Sequence, residues 1–279
     1  MNRKTYSLIL LCALYSSSNI SYGAIQDPDA QSRSQSACEA LMWIPNLTIT
    51  LARIMESTDL TPRYCYVKGI ISPAISYHVQ LPLPKDWNGR FVNWGDGGKD
   101  GDLDFADHRV SQGYAVANSN TGHDNGSEPG ASFGFNNRQA EIDFGYRAVH
   151  LTVNAAKTLI EAYYDRPPRY SYHEGCSTGG RQGLMEAQRY PYDFDGIIAG
   201  APVHYYQELN TTHVFNLQRV FRNNLAGNLA YDVNGDGTPE SLTKVKLLHN
   251  KVLDKCDAND GIVDGVIDDP LSCNCLLYT

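Results

Sequence analysis

The chain has 279 residues, 42% hydrophobic and 19% charged, which are the proportions of a protein with a substantial core and not of a disordered tail or a scaffold held by disulfides alone. Its 23 basic against 31 acidic residues give a formal charge of −8, with no long basic run. Nucleic acid and anionic membrane surfaces are therefore excluded as expected partners.

Three parts of a secretory signal open the chain: the basic Asn2-Arg3-Lys4, the apolar run from Leu8 to Leu14, and the small-residue end Ser21-Tyr22-Gly23. Residues 1–23 are expected to be a signal peptide and the mature protein to be secreted or periplasmic. The apolar run falls short of the ~20 residues that a membrane-spanning helix needs. Export leaves six cysteines after Cys12, namely Cys38, Cys65, Cys176, Cys256, Cys273 and Cys275. An oxidising compartment favours bridges among them, but spacing leaves the connectivity open.

Residues 64–83 carry β-rich runs broken by Pro73, with Tyr77-His78-Val79-Gln80-Leu81 alternating ahead of Pro82 and Pro84, and predict early strands of a sheet. Arg90 to Trp94 predicts another strand, ending in Gly95-Asp96-Gly97-Gly98, and Tyr114 to Asn118 a short buried one. Between Phe144 and Tyr164, Val149, Val153, Ala156, Leu159, Ile160 and Tyr163 recur at helical spacing until Pro167-Pro168 stops the element. A strand at 169–174, a tight turn, a helix from about Gly180 to Arg189 and a buried strand at 196–199 follow. Strands alternating with helices predict an α/β architecture with a mainly parallel sheet. Beyond Pro202 the character changes: helices are predicted over His213–Phe221 and Leu242–Leu253, with a polar loop between them and an acidic tail after. The expected division is thus residues 24–202 as one domain and 203–279 as the start of a second.

The sharpest local feature is Gly175-Cys176-Ser177-Thr178-Gly179, a G-x-S-x-G pattern set between a predicted strand and a predicted helix. In a nucleophile elbow the serine occupies a strained turn, so the residues two before and two after it must lack side chains, and the helix N-terminus beyond favours developing negative charge. By itself the pattern is equally the mark of a glycine-rich structural turn. Acyl transfer also needs two donors for the oxyanion, one from the N–H of the residue after the nucleophile, here Thr178, and one from a loop ending an earlier strand. The Gly95 to Gly98 segment offers such a loop.

The stretch from Phe144 to Pro202, with GCSTGGRQGL and DFDGIIAGAP as its most specific motifs, resembles the core signature of the tannase and feruloyl esterase family of secreted α/β-hydrolases. The likeness extends from about Cys38 to Cys273. It implies an α/β-hydrolase fold and a serine carboxylic ester hydrolase acting on small aromatic (galloyl, feruloyl or related) esters. Ser177 matches the family nucleophile, and Thr178 and Gly97 match the oxyanion hole. Cys38 with Cys65 and Cys256 with Cys273 match family bridges, while Cys176 matches a cysteine whose partner directly precedes the catalytic histidine.

Asp257, Asp260 and Asp264 form a third constellation, spaced by Gly261 and Gly265. Oxygen-only donors on tight turns suit Ca²⁺, although a solvated acidic turn has the same composition. Resemblance to the family's lid-domain calcium loop implies side-chain oxygens of Asp257, Asp260 and Asp264 with the backbone carbonyls of Ile262 and Val266. Separately, Asp232-x-Asn234-x-Asp236-Gly237 opens like an EF-hand loop, but its twelfth position is Thr243 and not Glu.

The hydrolase order is Ser, then Asp, then His, and the family places both partners well beyond the calcium loop. His173, His204, His213 and His249 are accordingly expected to be structural or exposed. On that pattern the sequence is expected to be truncated at the start of the lid, with Cys176 unpaired and Cys275 an extra thiol. The alternative function is a non-catalytic fragment, at most a calcium-binding remnant.

Overall fold

The computed structural model describes residues 28–220 and 242–274; the expected signal peptide, the Asp232 to Gly237 loop and Cys275 lie outside the described residues. The chain divides between Pro202 and Val203 into two compact units.

Strand alternation builds the first unit. In β1 (Thr48–Met55), β2 (Tyr64–Ile71), β3 (Ile75–Pro82), β4 (Arg90–Gly95) and β5 (Ala115–Ser119), one set of side chains faces each side of the sheet. Ile49, Cys65, Val67, Val79, Leu81, Phe91 and Ala117 point into the larger core. Tyr64, Tyr66 and Val116 point the other way, against Ala106 and Val110 beside the short α2 (Asp107–Ser111). Helix α4 (Ala148–Tyr164) buries Val149, Val153, Ala156, Leu159, Ile160 and Tyr163, its i, i+3, i+4 stripe, in the larger core. It ends at Asp165 in a left-handed conformation, just before Pro167-Pro168. Helix α1 (Pro28–Ala40) is tied to β2 by the Cys38–Cys65 disulfide.

Seven strands run in the order β1-β2-β3-β5-β4-β6-β7, with β6 at Tyr170–Cys176 and β7 at Gly196–Gly200. The sheet is mixed and not mainly parallel. β1 to β3 and β3 to β5 pair antiparallel, whereas β5, β4, β6 and β7 pair parallel. Connection length explains the split: residues 72–74 suffice only for a reversal from β2 to β3, while α2, α4 and α5 (Thr178–Arg189) provide the crossovers that parallel neighbours need.

α1, β1, α2 and the short α3 (Arg138–Ile142) were not predicted from sequence, and α4 begins four residues later than predicted because a π-helical turn, Asp143–Arg147, precedes it. In the second unit α6 spans Tyr206–Val220, starting ahead of the predicted His213, and α7 spans Thr243–Cys256. A 3-10 turn at Asp257–Asp260 and the acidic loop follow, closed by the Cys256–Cys273 disulfide. No helix among the described residues is long and apolar enough to cross a membrane.

Candidate active site

Strand order locates the first site. β5 lies on one side of β4 and β6 on the other, so the chain leaves β4 in one direction and returns on the opposite flank. Such a switch point opens a crevice at the carboxyl ends of the parallel strands. Gly95, the end of β4, is in register with Gly175 of β6, and the loop Asp96 to Gly98 thereby lies beside the turn Cys176-Ser177.

Ser177 is the residue between β6 and α5, with φ 57° and ψ −115°, a conformation that L-residues adopt only under constraint. Its N–H donates to the Gly200 carbonyl at 2.9 Å, and its own carbonyl accepts the first helical bond, from the Arg181 N–H at 3.0 Å. The flanking glycines are required by contact. A Cβ on Gly175 would lie 2.6 Å from the Gly179 carbonyl carbon, and one on Gly179 would lie 2.7 Å from the Asp96 oxygen. The helix therefore starts against the end of β4 with no room for side chains, which leaves Ser177 half-buried at the top of the sheet.

The rest of GCSTGGRQG anchors this turn. The Thr178 hydroxyl donates to the Gly98 carbonyl at 2.6 Å, joining the elbow to the β4 loop. Arg181 stacks on the Phe144 ring at 4.6 Å and donates to the carbonyls of Phe144 and Gly145, which the wide π turn leaves available. Gln182 donates to the buried Asp100 carboxylate at 2.9 Å. Asp100 is 3% exposed, and burial pushes its carboxyl up to about 7. Asp96 is pushed up to about 8, by burial first and then by the hydrogen bond with the Asp104 side chain. Its Oδ1 accepts from the Gly97 N–H at 2.7 Å, so the donor expected for an oxyanion is engaged by a neighbouring carboxyl.

His173 sits beneath the elbow with no exposure; its Nε2 donates to the Gly179 carbonyl at 2.9 Å and its Nδ1 accepts from the Asn93 amide at 3.2 Å. Both nitrogens are committed to packing, and burial lowers its pKa. His204, His213 and His249 are exposed. Cys176 is exposed and carries a free thiol.

In the acidic loop each aspartate spends one oxygen on the backbone: Asp257 Oδ1 accepts from the Gly265 N–H, Asp260 Oδ1 from Ile262 and Asp264 Oδ1 from Val266, at 2.8–3.0 Å. Gly261 and Gly265 take the left-handed φ of 96° and 83° that these turns demand. Among the described residues the second carboxylate oxygens and the Ile262 and Val266 carbonyls have no hydrogen bond, and this oxygen-only set fits a hard cation. The three carboxylates do not converge, however. One group of three His, Cys, Asp or Glu side chains among the described residues brings its ligand atoms within 4.8 Å of one another, and it is His150, Glu186 and Asp193. That group could hold a metal ion, and sequence reasoning missed it because its members are dispersed over 44 positions on α4, α5 and the connection to β7, with no motif spacing between them.

The family model described as tannase and feruloyl esterase matches residues 62–277. The chain belongs to this family. A probable feruloyl esterase B-2 of Aspergillus flavus is 37% identical over 236 residues, covering 82% of this chain and 40% of that protein. The feruloyl esterase B of Aspergillus niger is 36% identical over 233 residues, covering 81% and 41%. Among solved structures, feruloyl esterase B from Aspergillus oryzae superposes with a TM-score of 0.67 at 27% identity, over 86% of this chain and 49% of that one. A tannin acyl hydrolase from Aspergillus niger, at 22% identity and a TM-score of 0.54, shares the fold. The chain therefore spans about 40% of the length of the curated relatives it matches.

Proposed function

We propose that this chain carries the nucleophile half of a carboxylic ester hydrolase acting on small esters of aromatic acids, of the feruloyl or galloyl kind, exported to the periplasm or medium. One observation carries the reading: Ser177 in a strained strand-to-helix turn between glycines that admit no Cβ. Its role is to attack the ester carbonyl and form an acyl-enzyme. The Thr178 N–H at the start of α5, aided by the helix dipole, stabilises the oxyanion. Gly97 supplies the second donor once its N–H leaves the Asp96 carboxyl. The family resemblance puts the base and its acid well beyond the acidic loop. Asp257, Asp260 and Asp264 with the Ile262 and Val266 carbonyls would hold Ca²⁺, whose contribution is structural.

Covalent labelling by a fluorophosphonate, which needs a serine activated by its base, tests the nucleophile in the full-length Aspergillus niger relative. Label should vanish when the serine aligned with Ser177 becomes Ala; label persisting elsewhere sinks the assignment. If the base lies beyond the acidic loop, as the resemblance implies, residues 1–279 alone should hydrolyse methyl ferulate on the order of 10⁶ more slowly than a complete triad. Turnover near the common ~10 s⁻¹ would show that a histidine among these residues serves as base.

A further inference from the structure

Away from the elbow, three segments of the first unit converge on one small polar cluster. His150 comes from α4, Glu186 from the third turn of α5, and Asp193 from the connection between α5 and β7. Glu186 is 1% exposed and Asp193 9% exposed, while the His150 side chain keeps 27% of its surface open to solvent. His150 Nδ1 donates to Asp193 Oδ2 at 2.6 Å, and the carboxyls of Asp193 and Glu186 are within hydrogen-bond reach of each other.

Hydrogen bonding within the protein leaves this cluster incomplete. Glu186 Oε2 is buried and has no partner, a costly state for a carboxylate oxygen. Among the described residues no ammonium or guanidinium forms an ion pair with either carboxylate. Lys157, which reaches the same connection, donates instead to the Asp193 backbone carbonyl at 2.5 Å. Two carboxylates in a buried space need either a shared proton or a cation.

We propose that His150, Glu186 and Asp193 form a binding site for a divalent transition-metal ion, with Zn²⁺ the ion whose ligand preferences they match. One imidazole nitrogen and two carboxylates are zinc donors, whereas Ca²⁺ takes oxygen alone. The ring is already oriented: it stacks on Tyr190 at 3.8 Å with 9° between planes, and Asn154 lies 3.2 Å from Nε2. Metal binding releases the proton held between the carboxyls and moves the imidazole proton from Nδ1 to Nε2, where the Asn154 amide oxygen can accept it after the amide turns over. His150 keeps part of its side chain open to solvent, and three protein ligands leave a fourth coordination position for water. Glu186 lies nine residues past Ser177, about 13 Å along the helix, so the ion is a clamp between α4, α5 and the β7 connection and takes no part in ester chemistry. The site is independent of the hydrolase reading.

The experiment is calorimetric titration of the EDTA-treated 279-residue protein with ZnCl₂, in buffer containing excess Ca²⁺ so that the acidic loop is not what responds. One equivalent of Zn²⁺ should bind and raise Tm. His150→Gln and Glu186→Gln, checked for folding by circular dichroism, should each weaken binding about tenfold to a hundredfold or more, while Asp260→Ala should leave the zinc titration unchanged. Absence of Zn²⁺ binding, or equal affinity in the folded His150→Gln protein, overturns the proposal. Should neither variant fold, a crystal of the wild-type protein soaked in ZnCl₂ decides the matter: an anomalous peak among the three side chains supports the site, and its absence refutes it.

Discussion

The turn at Ser177 and the loop at Asp257 to Val266 are both glycine-spaced polar segments, yet they are held in different ways. At Ser177 backbone meets backbone: Gly175 and Gly179 touch each other, Gly179 touches the end of β4, and Ser177 is strained because every neighbour is already in place. In the acidic loop Asp260 and Asp264 each close a turn two residues long, Asp257 reaches across the loop to Gly265, and the three carboxylates stay apart. Packing makes the first arrangement before any ligand arrives. The second has oxygen donors that stay apart, and the proposed calcium ion would have to draw them together.

The largest expected effect comes from breaking the first arrangement. Gly179→Ala places a methyl group 2.7 Å from the backbone of both Gly95 and Asp96, and neither strand end can retreat without unpairing β4 from β6. Overpacking of that kind costs about 1–3 kcal/mol, and contact with backbone puts this case at the upper end, read as a drop in denaturation midpoint. Gly97→Ala is the control. Nothing lies within 4 Å of its Cβ position, so stability should stay within about 0.5 kcal/mol of the parent. Equal costs at the two positions would show that the elbow is not packed as described.

Removing calcium should matter next. An ion bound only to the folded loop adds RT ln(1 + [L]/Kd), about 2.7 kcal/mol at a hundredfold excess over Kd, besides relieving repulsion among three carboxylates. EDTA should therefore lower Tm in a scan that follows the second unit, and Asp260→Ala should abolish the difference. If EDTA leaves Tm unchanged and Asp260→Ala is neutral in excess calcium, the segment is a solvated acidic turn.

What the sequence disclosed follows the same division. Alternation in Tyr77 to Leu81, the helical stripe from Val149 to Tyr163 and the glycines around Ser177 were all legible, because each is a local pattern imposed by a period or by a steric demand. β1 and the antiparallel pairing of the first strands were not, since β1 carries ordinary residues and its pairing to β2 is set by a connection of only eight residues, 56–63. Polar partners distant in sequence were also hidden. Nothing in the spacing couples Arg181 to the Phe144 and Gly145 carbonyls, Gln182 to Asp100, or His150 to Asp193, because those bonds exist only once α4, α5, the loop after β4 and the connection to β7 are packed on the sheet. The engagement of the Gly97 N–H by Asp96 was invisible for a simpler reason: a residue and its neighbour have many rotamers, and only burial selects this one.

The elbow is not free of electrostatic cost, and this sharpens its contrast with the exposed loop. Asp100 lies under α5 and, among the described residues, its Oδ2 accepts from Gln182 while its Oδ1 has no partner. Burial holds its carboxyl near 7 in the folded protein, against about 3.9 in an unfolded chain. Between those values the folded state keeps a proton that the unfolded state has lost. The resulting stabilisation is fully present below about pH 4 and disappears as pH rises through 7. Asp100→Asn removes the titration but keeps an amide oxygen to accept from Gln182. Going from pH 6 to pH 8 should then cost the parent about 1.4 kcal/mol more than the variant, measured by urea unfolding at the two pH values. Parallel losses in the two proteins would mean that Asp100 is already ionised at pH 7, and that Arg181, whose charge lowers its pKa, outweighs burial at the base of the elbow.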